Sequence, residues 1–250
     1  MTWSYSRITT FEDCPYKWFL TYIHGGIEKK TPFFAEYGSF MHTILQMYFS
    51  GDLRRKELST FYVMNFKQNI RSSAPNQKIY RSYFEQGFQY LDSISFPRRS
   101  ILGVEKRVNF KFAGRPFTGF IDVVSDDGSL IITDHKSRTL KPRSGRKKPT
   151  KTDLELDDYF RQLYVYSAAI REQFGKYPDF LEFNCFRSQT LIREPFEQKQ
   201  FERVESWASQ QIDKIVSNDY WGANPDYWRC NYLCDICADC EYWQSPTKRR

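Results

Sequence analysis

Apolar residues recur at helical spacing over residues 11–22 and 36–49, and charged but helix-compatible stretches follow over residues 53–70 and 80–93. From residue 101 to residue 112 the pattern becomes that of a strand. Ala113, Gly114, Arg115 and Pro116 then form a turn signal, leading into an apolar run that ends near Asp122. A further strand is expected over residues 130–133. Residues 139–152 are rich in Lys, Arg, Pro, Ser and Gly without periodicity, which predicts a mobile loop. Helical spacing returns over residues 154–174, a short strand over 180–186 and a polar helix over 196–216. No internal repeat interrupts this order. The expectation is an α/β fold in which a mixed central sheet is flanked by helices.

Size and charge narrow the picture. A chain of 250 residues can bury a sizeable core, and residues 1–250 are read as one domain. A net charge of +7 and a pI near 9.0 favour a polyanionic partner. Aromatic residues make up 18%, more than base stacking could use, so most of these rings belong to the core. No apolar stretch is long enough to span a bilayer and residues 1–7 lack the features of a signal peptide, so a cytoplasmic location, or that of a host cell for a phage protein, is expected. In that compartment six cysteines do not read as a disulfide framework. Four of them, between Cys230 and Cys240, call for metal or redox chemistry.

The stretch from Gly119 to Lys136 carries the chemistry. Asp122 ends one apolar run and Asp134 and Lys136 end the next, so an antiparallel pair joined by a turn over residues 125–129 brings all three into one cleft. Two carboxylates and an ammonium suit a divalent metal and a hydrolytic water. A carbonyl oxygen, such as that of His135, could complete the oxygen ligands of Mg²⁺, while Lys136 would orient or deprotonate the water and offset charge on the phosphate. Either aspartate alone also reads as a strand-ending residue at a turn.

These residues, in this order, resemble the PD-(D/E)XK nuclease superfamily and within it the RecB-like exonuclease branch. Residues 38–45, with Gly38, His42 and Leu45, are similar to the branch's G-x-x-x-H-x-x-L motif, which implies that His42 is a metal ligand. Glu105 falls where the family often has a supporting acidic residue at the sheet entrance. Asp122, Asp134 and Lys136 match the signature itself, and Gln162 and Tyr166 match the Q-x-x-x-Y motif. Their four-residue spacing puts the amide and the phenol on one helix face, able to hold a DNA strand. An imidazole ligand suits Mn²⁺ better than Mg²⁺. By itself His42, among Phe40, Met41, Ile44 and Leu45, also reads as a core histidine.

The resemblance extends to the chain ends. Cys14 and Pro15 precede an aromatic-rich helix, as in the opening segment of iron-sulfur members such as AddB-type subunits and the CRISPR-associated RecB-like exonucleases. There an early cysteine and three late ones hold a [4Fe-4S] cluster, which implies that segments of about 1–35 and 225–245 are tied together. The family spacing is C-x2-C-x5-C, whereas Cys230, Cys234, Cys237 and Cys240 are separated by three, two and two residues. The ligand set is therefore open: Cys14, Cys234, Cys237 and Cys240, or a set in which Cys230 replaces one of these, or a Zn²⁺ site made by the four C-terminal cysteines. Cys185, alone in an apolar strand, reads as a small buried hydrophobe.

Lys141, Arg143, Arg146, Lys147, Lys148 and Lys151 follow the strand that carries Asp134 and Lys136 and are expected to reach the DNA backbone. Lys248, Arg249 and Arg250 form a second, smaller basic run. The implied activity is metal-dependent hydrolysis of DNA, exonucleolytic on single-stranded ends, in recombination, repair or CRISPR adaptation. Without a P-loop the chain would rely on a helicase or adaptation partner to open duplex, and no membrane partner is expected. The competing readings are a catalytically silent nuclease-fold protein that binds DNA or acts as a scaffold, and a zinc-binding module.

Overall fold

The computed structural model describes residues 1–25 and 29–243; the basic run at residues 248–250 lies outside them. Its centre is a five-stranded mixed sheet with strands in chain order: β1 (Ser100–Phe112), β2 (Arg115–Asp126), β3 (Leu130–Lys136), β4 (Phe180–Cys185) and β5 (Thr190–Pro195). Only β3 and β4 run parallel, because the helix α6 (Lys151–Phe174) crosses between them; every other neighbouring pair is antiparallel. The β1–β2 turn has positive φ at both Ala113 and Gly114, the geometry that lets a two-residue turn follow the twist of its strands. The expected α/β class with a mixed sheet and flanking helices is what is found.

Helices cover the sheet in two groups. Side chains of α1 (Tyr5–Asp13), α6 and α7 (Gln198–Val216), among them Ile8, Phe160, Leu163, Phe201 and Ile212, share one core with the strands. A second core joins α3 (Phe33–Phe49), α4 (Leu58–Asn69) and α5 (Gln77–Ser93) through Phe33, Tyr37, Met41, Leu58, Tyr62 and Leu91. From this group α3 reaches β1 and β2, which is how a residue near its middle arrives at the sheet's acidic end.

Three expectations need correction. The helix expected over residues 11–22 is broken at Cys14, whose extended backbone separates α1 from α2 (Pro15–Phe19). Pro15 enforces this: it disfavours helical backbone at Cys14 yet suits the first turn of the next helix. A π-helical turn, Leu20–His24, then continues the segment. The strand β5 was not expected, because its single buried residue, Ile192, lies between exposed positions and leaves no apolar run to read. Finally, residues 139–150 are irregular but tied down. Asp153, buried at the start of α6, accepts hydrogen bonds from the backbone N–H and hydroxyl of both Ser144 and Thr150 at 2.7–2.8 Å. The guanidinium of Arg143 is held between Asp157 and Glu194.

The chain ends also meet. Asn224 donates from its backbone N–H to the Cys14 sulfur at 3.4 Å, and Arg229 donates to the Asp13 carbonyl at 2.7 Å. Lys17 pairs with Asp235 at 2.7 Å, and the Lys30 N–H bonds to the Asp235 carbonyl. A short α-helix, α8 (Tyr227–Tyr232), carries Cys230 and precedes the other C-terminal cysteines.

Candidate active site

The β2–β3 ladder runs from Asp126 paired with Leu130 to Val123 paired with Thr133 and stops there. β3 nevertheless stays paired with β4 as far as Lys136 and Cys185. The two strands therefore part at Asp122 and Asp134, opening a cleft and leaving backbone donors that the ladder would otherwise have used. The N–H of His135 is one of these, and Asp122 Oδ2 accepts its hydrogen bond at 2.6 Å. Asp122 is thus buried and fixed in place by the gap that it borders. Beside Asp134, Thr133 donates to Glu182 at 2.8 Å, and Glu182 makes a two-point ion pair with Arg99 at 2.9 and 3.0 Å. The hydrogen bond ties β3 to β4, and the buried ion pair anchors the segment before β1 to β4.

His42 enters from α3. Its Nε2 lies 2.9 Å from the His135 carbonyl oxygen, and its Nδ1 lies 3.5 Å from Asp122 and 3.7 Å from Glu105. Both ring nitrogens face acceptors, which favours the doubly protonated ring. Burial opposes that charge, but the contact with Glu105 and the charges of Asp122 and Asp134 outweigh it and raise His42 to about 9. Burial, reinforced by Asp134, raises Asp122 to about 7. The site therefore crowds negative charge where protons are retained and a cation is welcome.

Ligand atoms of His42, Glu105 and Asp122 all lie within 4.8 Å of one another, the only such group of three among the described residues. Neighbouring ligands on a small divalent ion at about 2.1 Å are roughly 3 Å apart. The 3.5 Å and 3.7 Å separations of His42 Nδ1 from Asp122 and Glu105 are close to that, so an imidazole and two carboxylates fit such an ion, whereas the His135 carbonyl oxygen faces the opposite ring nitrogen, Nε2, and lies apart from that set. Glu105, expected only as a supporting residue, belongs to this set. Asp134 does not: its Oδ2 stands 2.8 Å from Lys136 Nζ at an angle unsuited to a hydrogen bond, and has no other polar partner.

Lys136 donates to Gln162 Oε1 at 2.8 Å, so α6 aims the ammonium along the cleft. Tyr166, one turn further on, lies against Gly119. A Cβ at Gly119 would come within 2.5 Å of the Tyr166 ring, so β2 needs glycine there for α6 to close on it. Burial, with the charge of Asp134, pushes the Tyr166 phenol up to about 12 and keeps it a proton donor. The His135 side chain points elsewhere: its ring stacks on Phe49, and Nδ1 accepts from Asn184 at 3.0 Å. Burial, followed by the charges of His42 and Lys136, lowers its pKa and keeps it neutral.

His42, Asp122, Asp134, His135, Lys136, Gln162 and Tyr166 line one open cavity of about 730 Å³. Lys141, Arg143, Arg146, Lys147 and Lys148 are not on its wall; the lysine and arginines there are Lys136, Arg107 and Arg138. Sequence reading missed Arg107, Thr118 and Phe120. The available signal was period two along β2, which aligns Thr118 and Phe120 with Asp122.

A second cavity, of about 370 Å³, lies where the chain ends meet. Cys14, Cys230, Cys234 and Cys240 line it, and Cys237 does not. No three of the sulfurs lie within 4.8 Å of one another. Burial raises Cys234 to about 11. Cys185 is buried in β4, as a small apolar residue would be.

Comparison with known proteins decides what this cleft belongs to. A family model described as the PD-(D/E)XK nuclease superfamily matches residues 2–245. The chain belongs to the PD-(D/E)XK nuclease superfamily. That places it among the hydrolases that act on nucleic acid. A crystal structure from Eubacterium rectale, described as that of a "Putative exonuclease", has 14% identity and a TM-score of 0.54. The match covers 98% of this chain and 90% of that one, and at such identity it speaks for the fold alone. A structure described as SSO0001 matches with 15% identity over 83% of this chain and 97% of that one, with a TM-score of 0.31, too low to support an argument. No curated protein matches.

Proposed function

We propose that this PD-(D/E)XK protein is a Mg²⁺- or Mn²⁺-dependent deoxyribonuclease of the RecB-like branch that degrades single-stranded DNA from its ends. The observation that carries the reading is the convergence of His42, Glu105 and Asp122 within 4.8 Å, beside Asp134 and a lysine held by Gln162. A divalent ion held by His42, Glu105 and Asp122, with Asp134 adjacent, would supply positive charge to the scissile phosphate and ease ionisation of water.

The chain's own residues do the rest. Lys136 orients the attacking water and offsets the charge that develops on the phosphate, with Gln162 fixing its direction. Tyr166 presents a phenolic proton to a phosphate oxygen. Arg107 and Arg138 neutralise backbone charge along the cleft. The preference for single-stranded ends is proposed on family likeness. The partners proposed on family likeness are a helicase or a CRISPR adaptation complex.

End-labelled linear and covalently closed circular single strands, incubated with either metal, test the mode of attack. An exonuclease consumes the linear form and spares the circle, whereas an endonuclease opens both.

We further propose that Cys14, Cys230, Cys234 and Cys240 hold a [4Fe-4S] cluster and that Cys237 is spare. Their shared cavity supports this set. A tetrahedral zinc with sulfur at about 2.3 Å requires thiolates roughly 3.8 Å apart. No three of these sulfurs lie within 4.8 Å of one another, so such a zinc set is not preformed. The whole chain purified without oxygen should be brown and contain iron; Cys237→Ser should keep the iron and Cys230→Ser lose most of it. A colourless protein holding one zinc per chain would refute the assignment.

A further inference from the structure

Only two of the 22 phenylalanines are exposed, Phe88 and Phe120. Phe120 is the more exposed, at 54%, and it stands on the wall of the candidate active site. Single exposed apolar side chains are ordinary on a protein surface. One set into a cleft otherwise walled by carboxylates, hydroxyls and cations is not, because its water contact there is unfavourable unless something covers it.

The position of Phe120 narrows what the cover is. It lies two residues before Asp122 on β2, on the same side of the strand and roughly 6.5 Å away along it. Its cross-strand partner on β1 is Arg107, also exposed and also on the cleft wall. An aromatic face and a guanidinium side by side, next to the carboxylates that would act on a phosphate, match the two faces of a nucleotide. The ring takes the base and the cation takes the phosphate. In duplex DNA the base faces are covered by stacking, so this pairing is useful only for an unpaired strand.

We propose that Phe120 is a base-stacking platform for single-stranded nucleic acid, paired with Arg107 as its phosphate contact. The two hold one unstacked nucleotide beside the scissile phosphate. The inference rests on the nuclease reading and gives it a source of strand selectivity: recognition through a base's face without reading its identity. Phe120 is a positioning residue, because it acts on the strand and not on the reacting atoms.

The test uses the full-length chain carrying Lys136→Ala, so that DNA is bound but not cut, in Mg²⁺. Fluorescence anisotropy compares a single-stranded oligonucleotide, an abasic strand of the same length and a blunt duplex. Adding Phe120→Ala should weaken binding to the single strand about 5- to 100-fold. Phe120→Leu should weaken it similarly, and Phe120→Trp should restore it. Abasic strand and duplex should bind the parent and Phe120→Ala alike. Thermal melting keeps the comparison to folded protein.

If Phe120→Ala weakens normal and abasic strands equally, or changes neither by as much as twofold, or if leucine serves as well as phenylalanine, the platform is refuted while the nuclease reading stands. If the parent binds no nucleic acid at all, both fall together.

Discussion

Glu105 stands across the β1–β2 ladder from Asp122, between the pairs Val104 with Val123 and Lys106 with Ile121, and it does so with φ of 44°. That left-handed backbone is uncommon outside glycine and asparagine and costs on the order of 1 kcal/mol. The strained residue is the one whose carboxylate completes the group with His42 and Asp122.

Strain at a proposed ligand predicts a trade between stability and activity. Glu105→Asn, which tolerates the left-handed region, should melt at the same temperature as the parent or higher, yet lose most nuclease activity. Thermal melting and a cleavage assay on the same preparation check both halves. Wild-type activity in Glu105→Asn would remove Glu105 from the metal-holding set.

Without metal, His42 and Asp122 hold their protons to about 9 and about 7, above their ordinary values of 6.5 and 3.8. A raised pKa means that the folded state binds the proton more tightly, so the stability it brings is present at low pH and lost as pH rises through the folded value. The chelated protein should therefore lose melting temperature from about pH 4, where Asp122 begins to differ from its unfolded form, up to about pH 9, where His42 deprotonates. Mn²⁺, which competes with those protons, should restore more stability at pH 8.5 than at pH 6. His42→Ala should flatten the chelated profile. A metal-induced shift that grows toward acid would contradict this arrangement.

Much of this site was legible in the sequence, and the exceptions have definite causes. Asp122, Asp134 and Lys136 end apolar runs, and Gln162 and Tyr166 repeat at helical spacing, so local periodicity already puts each set together. The approach of Glu105 to His42 and Asp122 was not legible. It depends on a register shift between Ile101 and Gly103 and on a positive φ, neither of which has a sequence signal at glutamate. The same holds for Arg143. Composition marks it as part of a basic run, but its ion pairs come from Asp157 and Glu194 on distant elements.

The basic loop should accordingly divide into two functions. Arg143→Ala should cost about 1 kcal/mol of stability or less, because its pairs are partly exposed, and leave the salt dependence of DNA binding unchanged. Lys147→Ala and Lys148→Ala should each lower the salt slope by about 1 without affecting stability. Binding titrations across salt concentrations, with thermal melts, separate the two. A reduced slope in Arg143→Ala would return that residue to the DNA interface.

The central claim is that Asp134 and Lys136, at the point where β2 and β3 part, carry out hydrolysis. Asp134→Ala and Lys136→Ala, each verified as folded by thermal melting, should lose at least about a thousandfold in cleavage of end-labelled single-stranded DNA with Mn²⁺ or Mg²⁺. Both should still bind the strand. Cleavage at parental rates by both folded variants would contradict the account and place the chemistry elsewhere in the molecule.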